Sequence, residues 1–147
     1  MIKVLIVDDS QVIREAVCKL LIEEGHEARS VQSGREGIEL FQSARFDLAL
    51  IDVVLPDISG MDVLAAIRRV NREIPVIMMS ATFNPVNFKE TSNTAFVSKT
   101  GGINRLIETI RIYLPSRPVH AADSFSRGFL FRSIFGRLKA VAGHPVL

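Results

Sequence analysis

The sequence predicts an α/β fold, a doubly wound five-stranded parallel sheet with helices on both faces. Strand-length apolar runs alternate along the chain with stretches whose apolar residues recur at helical spacing. The connections between them are short, which favours right-handed crossovers between parallel strands. The third apolar run, Leu48 to Ile51, lacks the polar alternation of a half-solvated strand, so both of its faces should be covered.

The first strand, residues 2–7, stops at Asp8, and a helix should follow it. Ser10 can cap the start of this helix, and Gly25 can end it. Its apolar positions are Val12, Ile13, Ala16, Val17, Leu20 and Leu21.

A weaker second strand covers residues 26–31, and the capping-box spelling that begins at Ser33 predicts the start of a second helix. The third strand ends at Asp52. Pro56 cannot donate to a sheet ladder and Gly60 permits unusual backbone angles, so the chain must leave the sheet just after Asp52. This places the Asp52 carboxylate at the carboxyl end of a buried strand, where ligands bind in open α/β sheets.

The remaining predicted elements continue the alternation of strands and helices. A third helix has apolar positions at Val63, Leu64, Ile67 and Val70. The fourth strand, residues 75–80, ends at Ser80, and the weak pattern of residues 81–94 predicts a short or irregular fourth helix. A fifth strand at 95–98 leads to Lys99. The last helix has its apolar face at Ile103, Leu106, Ile107, Ile110 and Leu114.

The charge balance changes after Leu114. Residues 1–114 contain 13 Lys+Arg and 15 Asp+Glu, whereas residues 115–147 contain 5 and 1. We therefore predict one domain at 1–114 and a basic, Phe-rich C-terminal extension at 115–147.

The extension has apolar residues at one-sided helical spacing: Phe131, Ile134, Phe135, Leu138 and Val141. Three alternatives stay open for residues 115–147. They could form a helix that docks on this domain or on a second copy, remain a mobile tail, or bind a membrane surface or partner protein as a basic amphipathic segment. The extension is too short for a helical DNA-binding domain, so no DNA binding is expected.

The composition, 48% hydrophobic and 23% charged, provides for a real core. No apolar run is long enough for a membrane span, and Asp8 and Asp9 come too early for a signal peptide, so a cytoplasmic protein is expected. Cys18 is interpreted as a small buried side chain, and the three histidines have no metal-ligand spacing.

The polar residues that end the predicted strands are Asp8, Asp9, Asp52, Ser80 and Lys99. Parallel strands bring these residues to one edge of the sheet. Carboxylates about 4 Å apart repel by roughly 4 kcal/mol at an effective dielectric constant near 20. Either one carboxyl is protonated or a divalent cation such as Mg²⁺ lies among the three, and a lysine and a hydroxyl beside them suit an incoming phosphoryl group.

These residues resemble the receiver domain of bacterial two-component response regulators, whose pattern is an acidic pair, a phosphoacceptor aspartate, a Ser/Thr and a lysine at successive strand ends. The resemblance covers about residues 1–114. It extends to the run from Asp52 to Gly60 and to Phe96, three residues before Lys99. It implies a chemotaxis-regulator-like, flavodoxin-like fold with strand order 2-1-3-4-5.

The resemblance also implies that Asp52 accepts a phosphoryl group from a histidine kinase or histidine phosphotransfer protein, as a covalent nucleophile. Asp9 and Asp52 would then be direct Mg²⁺ ligands. Asp8 would act partly through water, and the Val54 carbonyl would complete the metal site.

The other matched positions would serve the phosphoryl group and the switch. Lys99 would pair with a phosphoryl oxygen, Ser80 would move to hydrogen-bond another, and Phe96 would turn inward behind it. The added charge could then change which downstream protein target the domain prefers.

Two features depart from the family pattern. Receivers usually have a proline after the lysine, whereas this chain has Thr100; we predict a trans bond there, because a cis bond before a non-proline residue costs about 2.5–4 kcal/mol. The segment from Ser80 to Phe96 is also shorter than usual.

The main alternative function is a Mg²⁺-dependent phosphohydrolase with an aspartate nucleophile. Such enzymes generally have a second aspartate two residues after the first, and this chain has Val54 there. A flavodoxin-like cofactor binder is the third hypothesis, but no phosphate-binding Gly-rich loop follows the first strand.

Overall fold

The computed structural model of the chain describes residues 1–82 and 93–114 and contains the predicted five-stranded sheet. The strands are β1 (Lys3–Val7), β2 (Glu27–Val31), β3 (Leu48–Asp52), β4 (Val76–Ser80) and β5 (Thr94–Ser98). Every neighbouring pair is parallel, and the order is β2-β1-β3-β4-β5. The predicted fold class and strand order are confirmed.

Four helices are present in the described residues: α1 (Gln11–Glu23), α2 (Gly34–Ser43), α3 (Gly60–Val70) and α4 (Gly102–Tyr113). The last predicted helix is therefore α4. The weak helix predicted between the fourth and fifth strands falls mainly on residues 83–92, which lie outside the described residues. The C-terminal extension 115–147 and the three alternatives for it also lie outside them.

Apolar residues on the two faces of the sheet form two separate core clusters. Val4 and Ile6 of β1 pack with α1 and α4, whereas Leu5 and Val7 pack on the opposite face with α2 and α3. All five residues of β3 are buried, as expected for a central strand covered on both sides. The core therefore fixes β3, and with it Asp52, in the middle of the sheet.

Some apolar positions expected on the buried helix faces are solvent-exposed. Val12 in the first turn of α1 is 68% exposed, and Val70, the last residue of α3, is 59% exposed. Cys18 is half-buried beside the core rather than fully buried. None of the helices in the described part of the chain is long and apolar enough to cross a membrane.

The predicted helix ends are confirmed. Ser10 accepts a hydrogen bond from the Ile13 N–H at 3.4 Å, and Gly25 follows α1 with a positive φ of 81°. At α2, the Ser33 hydroxyl accepts from the Glu36 N–H and donates to the Glu36 carboxylate at 2.9 Å.

Arg68 near the end of α3 connects that helix to the starts of two strands. Its guanidinium donates to the Ile74 carbonyl at 2.6 Å, to the Asn93 carbonyl at 3.0 Å and to the Thr94 hydroxyl at 2.8 Å. Thr94 is the first residue of β5. The start of β5 is therefore fixed by a side chain from α3 as well as by the β4 ladder.

Gly60 begins α3 and lies directly against the backbone of Asp52. Its N–H donates to the Val53 carbonyl at 2.8 Å, and a Cβ at this position would lie 2.0 Å from the Asp52 carbonyl oxygen. Only a residue without a side chain fits there, so Gly60 determines how the chain turns away from β3.

We expect Gly60→Ala to lower the free energy of unfolding by about 2 kcal/mol or more, because the new methyl group overlaps backbone that cannot move independently. At an unhindered position inside a helix, replacing glycine by alanine would raise the free energy of unfolding by up to about 1 kcal/mol. Urea denaturation followed by circular dichroism measures the difference. The neighbouring control Met61→Ala, at a position 37% exposed, should change stability by no more than about 0.5 kcal/mol. A Gly60→Ala protein as stable as the wild type would contradict this packing.

Candidate functional site

The carboxyl ends of the strands bring the predicted polar residues together at one edge of the sheet. Asp8 and Asp9 follow β1, Asp52 ends β3, Ser80 ends β4, and Lys99 follows β5. The register supports this placement, because Asp52 pairs with Met79 and Ser80 pairs with Ser98.

Three carboxylates meet at this edge. One oxygen from each of Asp8, Asp9 and Asp52 lies within 4.8 Å of the others. Asp8 is fully buried and Asp52 is 5% exposed, whereas Asp9 is exposed. The cluster therefore has two carboxylates in the protein interior and one on the solvent side.

The Lys99 ammonium lies between the two buried carboxylates. Its Nζ donates to Asp52 Oδ2 at 2.7 Å and is 2.6 Å from Asp8 Oδ2, and the side chain is only 10% exposed. The Lys99 N–H also donates to the Ser80 carbonyl at 2.9 Å, which fixes the lysine backbone to the end of β4. Lys99 is therefore at the centre of the site.

Burial raises the pKa of the Asp52 carboxyl above its ordinary value of 3.8, because the charged form loses solvation. The hydrogen bond and positive charge of Lys99 oppose this increase, as does the Val54 N–H, which donates to Asp52 Oδ1 at 3.1 Å. The negative charge of Asp8 adds to it. Asp52 is therefore a carboxylate whose ionisation depends on its cationic neighbour.

The residues at this edge fit a hard divalent cation such as Mg²⁺. Asp8 Oδ1 accepts from the Ser10 N–H at 2.9 Å, but the buried Asp8 Oδ2 accepts no hydrogen bond. Asp8 Oδ2 forms a close ion pair with the Lys99 ammonium, with a distance of 2.6 Å. A buried carboxylate oxygen that accepts no hydrogen bond, beside two further carboxylates, suits an oxygen-coordinated metal.

The remaining predicted site residues surround this cluster. The Ser80 side chain is buried, and its hydroxyl accepts from the Thr82 N–H at 3.3 Å. Val54 is 62% exposed, with its N–H directed to Asp52. Phe96 lies within β5 and is half-buried against the core cluster shared with α2 and α3. Phe96 therefore belongs to the apolar core on one face of the sheet and is not part of the charged group.

The turn after Lys99 has its own hydrogen bonds. The Ser98 and Thr100 hydroxyl oxygens are 2.6 Å apart, and the Thr100 N–H donates to Ser98 Oγ at 3.1 Å. The Lys99–Thr100 peptide bond is trans, as predicted. Gly101, which precedes α4, and Gly102, its first residue, adopt positive φ angles of 95° and 85°.

Sequence reasoning missed two residues that support the site. The Arg14 guanidinium donates to the Asp8 carbonyl at 2.7 Å, and the Asp57 carboxylate accepts from the Gly34 and Arg35 N–H groups at 2.8 and 2.9 Å. Arg14 could have been proposed from its position one turn into α1, facing back to Asp8. Asp57 and its partners are 22 and 23 residues apart, and no local signal connects them.

The sequence of this chain is similar to those of known signalling proteins. The family model of the response regulator receiver domain matches residues 4–111. The chain is 30% identical over 113 residues to the transcriptional regulatory protein DltR of Streptococcus agalactiae, with 75% of this chain and 50% of that protein covered. The chain thus spans about half the length of this curated relative.

Two solved structures are similar in fold and sequence. The chemotaxis protein CheY4 of Vibrio cholerae has a TM-score of 0.67 at 31% identity, over 78% of this chain and 99% of that one. The response regulator TrrA of Thermotoga maritima, solved in complex with Mg²⁺ and BeF, has a TM-score of 0.65 at 29% identity, over 76% and 97%.

The matching family model, the doubly wound sheet and the acidic cluster at its carboxyl edge agree with one another. The chain belongs to the response regulator receiver domain family of two-component signalling.

Proposed function

We propose that the domain accepts a phosphoryl group on Asp52 from the phosphohistidine of a histidine kinase or histidine phosphotransfer protein, and that phosphorylation changes which protein it binds. The observation on which this proposal depends is the pairing of Lys99 Nζ with Asp52 Oδ2 at 2.7 Å, beside the carboxylates of Asp8 and Asp9. Family membership supports the reaction class.

Transfer requires an ionised nucleophile. An Asp52 carboxylate oxygen would form the new bond to phosphorus as the phosphorus–nitrogen bond of the phosphohistidine breaks, and the bonding electron pair would leave with the imidazole nitrogen. Burial favours the protonated carboxyl, whereas the hydrogen bond and the positive charge of Lys99 lower the pKa of Asp52 and so favour the ionised nucleophile. The same ammonium would then pair with a phosphoryl oxygen.

Asp8, Asp9, Asp52 and the Val54 carbonyl would hold the Mg²⁺ ion. When bound, Mg²⁺ would offset the negative charge that gathers during phosphoryl transfer. The buried Asp8 and Asp52 would fix the inner side of the metal site, and the exposed Asp9 would face the incoming donor.

Ser80 and Phe96 are proposed as the switch. The Ser80 hydroxyl, which accepts from the Thr82 N–H, would move to donate a hydrogen bond to a phosphoryl oxygen, and the half-buried Phe96 ring would move inward behind it. An acyl phosphate carries about two negative charges where the free carboxylate carried one, and this local change can bias a domain between two packings. A downstream protein target would then distinguish the two states.

The proposed output of the domain is a change in its binding to a downstream protein target. DltR is named as a transcriptional regulatory protein, and this chain spans half its length, so the absence of a DNA-binding domain stays a prediction. Self-association or membrane binding through residues 115–147 also stays a prediction. Catalysis is proposed to be confined to phosphorylation and dephosphorylation of Asp52, as opposed to turnover of a separate substrate by a phosphohydrolase.

Incubation with acetyl phosphate and Mg²⁺ should add one phosphoryl group, detected by intact-mass spectrometry. Asp52→Asn should abolish the added mass because the nucleophilic oxygen is lost. Asp62→Asn, which removes a carboxylate from the exposed first turn of α3, should leave it unchanged. Phosphorylation that persists in Asp52→Asn, or steady turnover of an unrelated phosphate ester, would contradict the proposal.

Lys99→Met should destabilise the metal-free domain, because removing the ammonium leaves the buried carboxylates uncompensated. Breaking a buried ion pair on one side costs about 3 kcal/mol or more. The loss should be larger at pH 8 than at pH 5, because a carboxyl with a raised pKa can take up a proton at the lower pH. Denaturant titrations at both pH values measure this, and equal losses would rule out the electrostatic explanation.

Mg²⁺ affinity should fall as the pH is lowered, starting above the ordinary carboxyl pKa of 3.8. The reason is that Asp52, whose pKa is raised by burial, must lose its proton before it can coordinate the metal. One competing proton weakens binding by up to about tenfold per pH unit below its pKa. Calorimetric titration from pH 8 downward tests this. A flat profile down to pH 4 would contradict it.

A further inference from the structure

The loop that connects β3 to α3 is tied to the start of α2 by one side chain. Asp57 Oδ1 accepts from the Gly34 N–H at 2.8 Å, and Oδ2 accepts from the Arg35 N–H at 2.9 Å. The Arg35 side chain is 76% exposed, and its nearest nitrogen is 4.0 Å from the carboxylate. The contact is therefore made mainly with backbone N–H groups.

These two N–H groups have no partner within their own helix. The first turn of an α-helix leaves its N–H groups without carbonyl acceptors, and the Ser33 hydroxyl satisfies only that of Glu36. Asp57 accepts hydrogen bonds from the two N–H groups before that of Glu36, which are those of Gly34 and Arg35. The hydrogen bond from the Arg35 N–H is the largest cause of the lowered pKa of Asp57; burial opposes it, and the Gly34 N–H lowers the pKa further. The charged carboxylate suits the positive end of the helix.

A backbone hydrogen bond and a close packing contact hold the same loop at two further points. The Gly60 N–H donates to the Val53 carbonyl at 2.8 Å, which closes the loop at its base. A Cβ on Gly34 would lie 2.5 Å from Ile58 Cγ1, so the start of α2 lies directly on the loop. Between these contacts lies Val54, whose N–H donates to Asp52 Oδ1.

We infer that Asp57 is a positioning residue for the metal site: its carboxylate, bound to the start of α2, holds the β3–α3 loop so that Val54 stays beside Asp52. The inference rests on the proposed function, since the Val54 carbonyl is a proposed Mg²⁺ ligand. Asp57 itself does not contact the acidic cluster. Its effect reaches the metal through the backbone of residues 53–57.

Asp57→Asn should weaken Mg²⁺ binding by about tenfold, the usual size of losses from residues that orient metal ligands. The amide keeps one acceptor oxygen but presents an NH₂ group to the second helix N–H, so residue 57 loses one of its two hydrogen bonds to α2. Asp57→Ala removes both acceptors and should weaken binding further. Calorimetric titration of the unphosphorylated full-length chain with Mg²⁺ measures the dissociation constant directly.

Two variants serve as matched controls. Arg35→Ala removes the guanidinium but keeps the N–H that Asp57 binds, so its Mg²⁺ affinity should match that of the wild type. Asp62→Asn removes the same charge from a nearby position with no bond to α2 and should also match it. Circular dichroism verifies that each variant is folded at the temperature of the titration.

Acetyl phosphate kinetics distinguish positioning from general stabilisation. In Asp57→Asn the Mg²⁺ concentration for half-maximal phosphorylation should rise about tenfold, while the rate at saturating Mg²⁺ should stay within about twofold of the wild type. An unchanged half-maximal concentration, or an equal fall in rate at all Mg²⁺ concentrations, would overturn the inference. A failure of the proposed function would be recognised by a different result, namely phosphorylation that persists in Asp52→Asn.

Discussion

The ammonium of Lys99 lies between two buried carboxylates, and the rest of the site depends on this contact. Asp8 and Asp52 repel each other, and burial disfavours the charge on Asp52. A single cation within 2.7 Å of both makes the pair tolerable in the interior. The parallel sheet makes this contact possible, because the ends of β1, β3 and β5 bring Asp8, Asp52 and Lys99 to one edge from distant positions in the chain.

The fold could be predicted from sequence because its signals are local. Apolar runs of five residues, helical spacing of apolar positions, and capping residues such as Ser10 and Ser33 each specify an element without reference to distant residues. The site residues could be predicted because they lie at strand ends, where parallel topology brings them together. The turn after Lys99 departs from the family pattern, because Thr100 replaces the usual proline and its hydroxyl group contacts that of Ser98.

Contacts between elements distant in sequence could not be predicted. Asp57 binds the start of α2, and Gly60 is required by the position of a carbonyl group eight residues earlier. Such contacts depend on how the β3–α3 loop lies against its neighbours, which no periodicity or cap encodes. The exposure of Val12 and Val70 could not be predicted either, because spacing identifies a helix face but not which of its positions are covered.

Arg68 connects α3 to the strand that precedes Lys99. The start of β5 is fixed by the β4 ladder and by the guanidinium of Arg68, which donates to Thr94 and Asn93. Lys99 follows the end of the same strand. A displacement of α3 along the sheet would therefore shift β5 and change the distance between the Lys99 ammonium and the acidic residues.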